Sequence, residues 1–462
     1  MAKGKSKALR VVRRSRALIA SPRHWRARLV FWIGAIAIGA FSAAFAKAAD
    51  LAQGVFLDIT GGGGWHSYIP LVLTPGAFVA FAVATHFQFQ GAQGSGIPQV
   101  IAARHLHEDE NRGNYLTLKV VIGKVIMTIL ALGAGASIGR EGPTVQIGAA
   151  FMLKAAKLGR LVHARGLILA GSAAGIAAAF NTPLAGIVFA IEEMSRSYHV
   201  RTNGIVLTTV ILSGIASIAL VGNYTYFGVS HAVAEFPGDW PLVIVCGVVG
   251  GVFGAAFSAG VLTITKRIRR WQSVTSLTRV ILVALVAGLI VAGIGVLSGG
   301  MTFGTGYSQA RSAIEGTPLP PEFFLTKFIA TISSTLSGIP GGLFAPSLAV
   351  GAGLGSTIGL VFGAPAGLAA VLGMAGYFAG VVQAPMTAFV IIVEMTGNNA
   401  LLVPVMATAV IGYGVSRIIS PDPLYHGLSH YFIADAIRKQ RKEAAEARAA
   451  EAQTAETKPA EG

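Results

Sequence analysis

Three short stretches of this 462-residue chain place glycines just before a proline at the predicted start of a helix. They read Gly94-Ser95-Gly96-Ile97-Pro98, Gly139-Arg140-Glu141-Gly142-Pro143 and Gly342-Leu343-Phe344-Ala345-Pro346. Proline suits the first turn of a helix, where its missing N–H costs nothing. The unpaired N–H groups of that turn carry a partial positive charge, which attracts anions. Three such helix starts in largely uncharged surroundings predict a site for a dehydrated anion.

The second stretch also places the charged residues Arg140 and Glu141 in apolar sequence. An ionisable residue at membrane depth is costly and therefore marks a candidate functional site. At a helix start, the Glu141 carboxylate can occupy an anion site itself. The Ser95 hydroxyl can donate to an anion, and the N–H groups around Gly342 can form an anion-binding concavity. Taken singly, the first and third stretches are equally consistent with tight turns that pack helices.

The composition identifies the protein as a membrane protein. Hydrophobic residues make up 53% of the chain, charged residues 12%, and there are 59 glycines. Residues 328–393 contain no charge, yet glycines and prolines interrupt them throughout. Such interruptions are tolerated at membrane depth only where helices line a cavity inside the protein. We therefore predict an all-α membrane protein with tilted and broken transmembrane helices.

The charges of the polar segments predict the orientation in the membrane. The first 28 residues carry ten Lys or Arg and no acid within a net charge of +16, which places this arm in the cytoplasm. A nucleic-acid or lipid-headgroup role for the arm is the alternative. Residues 154–165 and 266–279 are basic and hence cytoplasmic, whereas 50–66 and 222–240 contain acids without Lys or Arg and are external.

This topology places two glutamates on opposite sides of the membrane. Glu141 lies near the midplane or above it and is reached from outside, whereas Glu193 lies near the cytoplasmic side. The first apolar stretch, roughly residues 29–46, is long for a signal peptide and lacks a convincing cleavage site. The single cysteine, Cys246, rules out an intrachain disulfide framework and is expected only to pack.

The sequence contains an internal repeat. At an offset of 202 residues Gly171, Pro183 and Glu192 correspond to Gly373, Pro385 and Glu394, and at 203 Gly139 and Pro143 correspond to Gly342 and Pro346. Repeated halves with broken helices at matching points are typical of transporters and channels, with the site between the halves. Phe344 is then the counterpart of Glu141.

Other chemical patterns are less convincing. Gly135, Ser137 and Gly139 match the spacing of a hydrolase nucleophile elbow but lack its strand–turn–helix context. No histidine base is expected near Ser137 or Ser95, since His163 and His199 belong to cytoplasmic loops. His105, His107, Glu108 and Asp109 resemble a metal cluster, but a solvated loop is the simpler interpretation.

Together, the three glycine-to-proline motifs resemble the signature motifs of the CLC chloride channel and transporter family, over about residues 25–435. The resemblance implies two inverted halves per subunit and a homodimer in which each subunit has its own anion pathway. It assigns residues 1–28 to a cytoplasmic arm, 29–428 to the transmembrane domain (halves about 29–222 and 240–428), and 429–462 to a cytoplasmic helix and disordered tail.

The resemblance also implies roles for individual residues. Ser95 and Tyr425 would supply hydroxyls to the central chloride site, and the backbone N–H groups of Leu343 and Phe344 would complete it. Glu141 would be the external gate, which fills an anion site as a carboxylate and swings away when protonated. Glu193 would be the internal proton acceptor of the proton-coupled exchangers.

Local details of the sequence refine this comparison. Ser95 resembles the residue of chloride-preferring members. Lys124 matches a buried lysine of the family, but Gln99 and Ile101 replace acidic residues found in some prokaryotic relatives, so Lys124 is expected to lack its usual partner.

We therefore expect a chloride/proton antiporter in a bacterial inner membrane, with both termini cytoplasmic and neither cofactor nor metal. It would act on chloride and protons within the lipid bilayer, without enzymatic activity or nucleic-acid binding. A passive voltage-gated-type chloride channel of the same fold is the alternative. An intramembrane hydrolase and a membrane-anchored nucleic-acid or lipid-binding protein are more distant alternatives.

Overall fold

The structure is a computed structural model that describes residues 22–106, 114–159, 164–195, 203–271 and 276–456. Most of the basic arm lies outside these residues. So do His107, Glu108, Asp109, His163 and His199, together with the end of the predicted disordered tail.

The described residues are almost entirely helical. The first half contains α1 (Pro22–Thr60), α2 (Pro70–Phe87), α3 (Ile97–His105), α4 (Leu118–Leu132), α5 (Glu141–Gly159), α6 (Ala164–Phe180), α7 (Pro183–Phe189) with a π-helical turn (Ala190–Ser195), and α8 (Asn203–Val221). The second half contains α9 (Trp240–Trp271), α10 (Leu277–Leu297), α11 (Tyr307–Ile314), α12 (Glu322–Leu336), α13 (Phe344–Phe362), α14 (Ala366–Val382), α15 (Pro385–Thr396) and α16 (Leu402–Ile419), followed by α17 (Leu424–Glu456). Short 3₁₀ turns precede α2 and α16.

Helix lengths confirm a multi-pass membrane protein with an all-α fold. Within the described residues, seven helical segments are long and apolar enough to cross a membrane. Others, such as α3, α7 and α15, are too short to cross about 30 Å of hydrocarbon. Helix α13 is long enough, yet 83% of its apolar segment is buried inside the protein. The core is therefore formed by broken or enclosed helices that longer ones surround.

Several helices extend into segments that the sequence assigns to polar loops. Helix α1 continues to Thr60 because the chain lacks a strong helix breaker until the glycine run that starts at Gly61. Helices α5 and α9 similarly enter the basic segments, where Lys157, Arg269 and Arg270 occupy their last turns and favour the negative dipole end. Helix α17 begins at Leu424, before residue 429, and runs to Glu456.

The two halves repeat the same helices in the same order. Helices α5 and α13 each contain 19 residues, and α6 and α14 each contain 17. The junctions before α7 and α15 are also alike, because Asn181 and Gln383 adopt left-handed φ angles of 56° and 54°. These are the non-glycine residues with positive φ in the described chain. The repeat inferred from the sequence is thus present in the backbone.

Equivalent residues of the halves meet at Gly139 and Gly342. The Gly139 N–H donates to the Gly342 carbonyl at 2.7 Å, and the Gly342 N–H donates to the Gly139 carbonyl at 2.6 Å. Reciprocal contacts between equivalent positions are the mark of a local twofold relation. The halves are accordingly related by a local twofold axis, which passes through the glycine-to-proline motifs.

Glycines also let the helices of each half cross at backbone contact. A Cβ at Gly148 in α5 would collide with the Gly171 carbonyl in α6, and one at Gly171 would collide with Gly148. Gly351 and Gly373 make the equivalent contact between α13 and α14. Small residues permit such close approach between membrane helices. Helices α5 and α13, which begin at two of the motifs, are therefore packed tightly against α6 and α14.

Candidate functional site

Glu141 is the first residue of α5 and is fully buried. Its carboxylate folds back over Gly139, where a Cβ would collide with Oε2 of Glu141 and lie 3.1 Å from Cδ of Pro346. It faces the backbone N–H groups of Ala345, Arg140 and Glu141, at a geometry outside standard hydrogen-bond limits. The carboxylate therefore lies between the N-terminal ends of α5 and α13, as the motif pattern predicts.

Ser95 lies in the turn that leads into α3. Gly94 and Gly96 on either side have φ angles of 64° and 106°, which favour glycine. Gly142 lies so close that a Cβ there would collide with the Ser95 hydroxyl. Among the described residues, the buried Ser95 Oγ has no hydrogen-bond partner of standard geometry. The hydroxyl thus reaches the start of α5 with its donor available.

The first and third motifs are joined through their backbones. The Gly94 N–H donates to the Ile339 carbonyl at 3.0 Å, and the Gly341 N–H donates to the Gly94 carbonyl at 3.2 Å. Leu343 and Phe344 follow directly at the start of α13 and are buried. The predicted helix starts of all three motifs are therefore correct, and the structure brings them together.

Tyr425 approaches the same point from the start of α17. Its ring stacks on Phe344 with centroids 6.0 Å apart, and its hydroxyl lies next to the Ser95 side chain. The hydroxyl is buried and has no standard hydrogen-bond partner within the described chain. A buried hydroxyl without a partner costs about 1–3 kcal/mol. Two adjacent hydroxyls in this state provide donors for a small anion.

Helix α17 is held in place by its other contacts. Arg269 in α9 forms an ion pair with Asp435 at 2.5 Å, and the Tyr115 hydroxyl donates to the Phe432 carbonyl at 2.7 Å. These bonds fix α17 against the transmembrane helices and so position Tyr425 at its start.

Glu193 lies in the π-helical turn that follows α7, with 1% of its surface exposed. His426 contacts it, because the His426 Nε2 is 3.0 Å from the Glu193 carbonyl and 3.9 Å from Oε1 of its carboxylate. His426 directly follows Tyr425 in the chain, but no sequence motif indicates its contact with Glu193. Glu141, Ser95, Tyr425, Glu193 and His426 thus form one set of buried or partly buried polar groups around the starts of α5, α13 and α17.

The Arg140 guanidinium contacts residues outside this set. Its guanidinium donates to the Ala46 carbonyl at 2.9 Å and to Oδ1 of Asp50 at 2.5 Å, and it lies 5.8 Å from the Tyr226 ring centroid. Asp50 has 63% of its side chain exposed, whereas Arg140 has 6%. The pairing of Arg140 with Asp50 spans 90 residues and could not be read from the motif.

Two buried lysines support the turns before α3 and α11. The Lys124 ammonium donates to the Gly94 carbonyl at 3.0 Å, so a backbone group partners it in place of an acid. Lys327, which lies outside the three motifs, donates to the carbonyls of Thr302 and Gly304 at 2.9 and 2.7 Å. A Cβ at Gly96 or Gly306 would contact the corresponding ammonium at 3.1 or 3.5 Å. Each lysine therefore stabilises the corresponding turn of its own half through hydrogen bonds to backbone carbonyls.

Glu192 and Glu394 connect the halves at a second place. The Glu192 carboxylate accepts from the Met386 and Thr387 N–H groups at 3.1 and 2.6 Å. The Glu394 carboxylate accepts from the Leu184 and Ala185 N–H groups at 3.0 and 2.7 Å. Each carboxylate thus caps the helix start of the opposite half, where it satisfies unpaired donors and complements the dipole.

The remaining candidates have structural surroundings. Ser137 Oγ lies 3.1 Å from Thr331 Oγ1, and the Ser137 N–H donates to Ser334. Cys246 is buried and packs against Gly376. Within the described residues, no three His, Cys, Asp or Glu side chains come together as a metal site.

The fold and these buried donors define a multi-pass membrane protein with a candidate anion site between inverted halves. A family model described as voltage gated chloride channel matches residues 76–417. The chain belongs to this family, the CLC family.

Curated relatives carry transporter names. The H(+)/Cl(-) exchange transporter ClcA of Yersinia pestis is 32% identical over 375 residues, which cover 77% of this chain and 75% of the relative. The protein of that name from Salmonella typhimurium is 33% identical over 379 residues, covering 77% and 76%.

Solved structures share the fold. A slow cyanobacterial Cl-/H+ antiporter superposes with a TM-score of 0.77 at 21% identity, covering 88% of this chain and 98% of the other. A eukaryotic CLC transporter gives a TM-score of 0.72 at 24% identity over 88% and 74%. A CLC-type fluoride/proton antiporter gives 0.71 at 22% identity over 89% and 99%. At these identities the structures establish the fold alone.

Proposed function

We propose that this protein exchanges chloride for protons across a bacterial inner membrane. The observation that carries the proposal is the position of two buried carboxylates: Glu141 lies at the converging helix starts, and Glu193 lies beside His426, which directly follows Tyr425. One acid can exchange protons with the outside and the other with the cytoplasm. The names of the ClcA relatives support the same activity.

In the proposed mechanism, chloride and the Glu141 carboxylate compete for the helix starts of α5 and α13. The Ser95 and Tyr425 hydroxyls and the N–H groups of Leu343 and Phe344 hold chloride. Protonation neutralises Glu141 and removes its attraction to the helix starts, so the side chain leaves and chloride enters. Glu193 supplies the proton from the cytoplasmic side. Each step needs only side-chain movement and proton transfer.

The decisive experiment uses purified protein in chloride-loaded liposomes. A chloride gradient is imposed without a pH gradient, and the external pH is followed with and without a proton uncoupler. Uphill proton movement driven by chloride is the expected result. Chloride efflux without proton movement would instead establish a passive channel of the same fold.

Glu193→Gln tests the inner half of the route. A glutamine cannot carry the proton but fills nearly the same volume, so we expect chloride transport to continue while proton movement is lost. Unchanged proton flux in this variant would remove Glu193 from the pathway.

We further propose that the protein is a homodimer with both termini in the cytoplasm. On one subunit, the hydrogen bond from the Leu184 N–H to Glu394 lies at the surface, and Leu184 itself is 62% exposed. A charged group facing hydrocarbon is costly, and a second copy over this face would shield it. Light scattering in detergent should give the mass of two chains; the mass of one chain would contradict the proposal.

The alternative classes are tested by simple controls. We propose that the protein is not an enzyme, and a serine-directed probe should leave Ser95 and Ser137 unlabelled. Deletion of residues 1–22 should leave transport intact, which would argue against a nucleic-acid or lipid-binding role for the basic arm.

A further inference from the structure

Glu192 and Glu394 each cap the helix start of the opposite half, and the two capped junctions have the same backbone conformation. Thr182 before α7 has φ −124° and ψ 80°, and Ala384 before α15 has φ −130° and ψ 81°. Each junction is followed by proline, and the next backbone N–H groups are held by a glutamate of the opposite half. Glu192 and Glu394 are thus equivalent residues with equivalent hydrogen bonds.

The helices that carry these glutamates differ. In the second half, α15 remains α-helical through Glu394 to Thr396. In the first half, the chain leaves α-helical geometry after Phe189 and forms the π-helical turn Ala190–Ser195. Single π-helical turns inside α-helices are rare and are frequent at functional sites. The asymmetry is therefore confined to the turn that contains Glu192 and Glu193.

The residues next to the caps also differ. Glu193 follows Glu192, whereas the equivalent residue after Glu394 is Met395, which is buried and uncharged. A π-helical turn fits more residues into each turn than an α-helix does, which changes the direction of the side chains within it. With Glu192 held by two N–H groups of α15, the direction of the neighbouring Glu193 side chain is fixed relative to the second half.

We propose that Glu192 is a positioning residue for proton transfer: its bonds to the start of α15 hold the π-helical turn and so aim Glu193 into the interior beside His426. This inference rests on the proposed role of Glu193 as the internal proton acceptor. Glu394 makes the same bonds without a neighbouring proton carrier and so serves stability alone.

The chain itself provides a matched control. Glu192→Gln and Glu394→Gln each replace one accepting oxygen with an NH₂ group that faces an N–H donor. Because both lose an equivalent cap, we expect similar losses of thermal stability. Only Glu192→Gln should alter the direction of Glu193, so only this variant should change proton flux relative to chloride flux.

The experiment measures chloride and proton fluxes of the wild type and both variants in the same liposomes. We expect Glu192→Gln to lower the number of protons moved per chloride about threefold or more, since small misplacements of a reacting group cost large factors in rate. Glu394→Gln should keep the wild-type ratio. A purely structural role of Glu192 would lower both fluxes together and leave the ratio unchanged, and this result would overturn the inference.

Other outcomes are equally decisive. If Glu192→Gln does not fold, Glu192→Asp and Glu394→Asp replace the pair, since aspartate keeps the charge but shortens the reach. An equal ratio in these two variants would overturn the inference. Wild-type protein that moves chloride without protons would remove the proposed function itself, whereas coupled wild type, uncoupled Glu193→Gln and a normal Glu192 variant would refute only the positioning role.

Discussion

Glu141 in the first half corresponds to Phe344 in the second, and Glu193 corresponds to Met395. The carboxylate of Glu141 faces N–H groups at two helix starts, whereas the Phe344 ring packs against Phe378 and Tyr425 with centroids 4.8 and 6.0 Å away. The two halves therefore have the same backbone arrangement but carry chemically different side chains at matching positions. The first half carries groups that can exchange protons, and the second fills the matching places with apolar side chains.

The turns before α3 and α11 show the same division. Ser95 presents a hydroxyl without a standard partner in the described structure. The corresponding Thr305 is satisfied locally, since its hydroxyl accepts from the Tyr307 N–H at 3.3 Å and its own N–H donates to Gln53 at 3.1 Å. A repeated turn can thus present an available hydroxyl in one half and a locally satisfied one in the other, and a few side chains decide which.

The largest effect is expected from Glu141→Ala, which removes the carboxylate that the second half lacks. Under the proposed mechanism, chloride should pass without competition and chloride-driven proton movement should disappear. The measurement is paired chloride and pH recording in liposomes, with Glu315→Gln on the exposed surface of the second half as a control. Persistent chloride-driven proton pumping by Glu141→Ala would show that proton coupling does not depend on the carboxylate that distinguishes the first half from the second.

The buried lysines should differ in their contribution to stability. Lys327→Met leaves two carbonyls without their ammonium and Lys124→Met leaves one, at about 1–3 kcal/mol for each buried group left unpaired. We therefore expect Lys327→Met to lower the free energy of unfolding roughly twice as much. Thermal unfolding in detergent compares the variants; equal losses would mean that the lysines act through packing alone.

Replacing the hydroxyls at two corresponding positions, Ser95 and Thr305, should distinguish an effect on chloride binding from an effect on stability. Ser95→Ala removes a proposed chloride donor worth about 0.5–1.5 kcal/mol, so the chloride Kd should rise about twofold to twelvefold. Thr305→Ala removes an internal acceptor and should lower stability by a similar free energy without changing the Kd. Calorimetric titration with chloride, together with thermal unfolding, checks both; a weaker Kd in Thr305→Ala would place that turn in the binding site.

The smallest effect is expected from Asp50→Asn, which breaks an ion pair found only in the first half, since Leu343 is the counterpart of Arg140. The Asp50 side of this ion pair is exposed to solvent, and pairs with an exposed partner contribute about 0–1 kcal/mol. The buried Arg140 guanidinium also retains its bond to the Ala46 carbonyl. Added salt should destabilise the wild type slightly more than the variant, because salt screens the ion pair. Melting curves at low and high salt measure this difference; identical salt dependence would exclude a contribution from Asp50.

Features with local physical causes could be predicted from the sequence. The starts of α3, α5 and α13 follow from glycine and proline chemistry, and the repeat follows from residue spacing. Fold class and membrane association follow from composition and apolar segments. The relation of Glu141 to Phe344 also follows from the sequence, because each lies two residues after the first glycine of matching motifs.

Features that depend on distant parts of the chain could not be predicted. The bond between Arg140 and Asp50 and the caps of Glu192 and Glu394 join residues 90 to 210 positions apart, so only the packed fold reveals them. Lys327 was missed because the turn it supports, at Gly304–Gly306, has shifted relative to its counterpart at Gly94–Gly96. The π-helical turn has no distinctive composition, and the two adjacent glutamates gave no sign of it.

The backbone contacts between Gly148 and Gly171, and between Gly351 and Gly373, affect how fast different parts of the protein can move. Helices locked at backbone distance cannot slide without separating, so the frame around the motifs is rigid on the timescale of side-chain motion. Rotation of an unhindered side chain takes picoseconds to nanoseconds, whereas collective helix movements take microseconds to milliseconds. If the gate is one carboxylate in a stationary frame, its opening requires the buried Glu141 side chain to rotate but needs no collective helix movement.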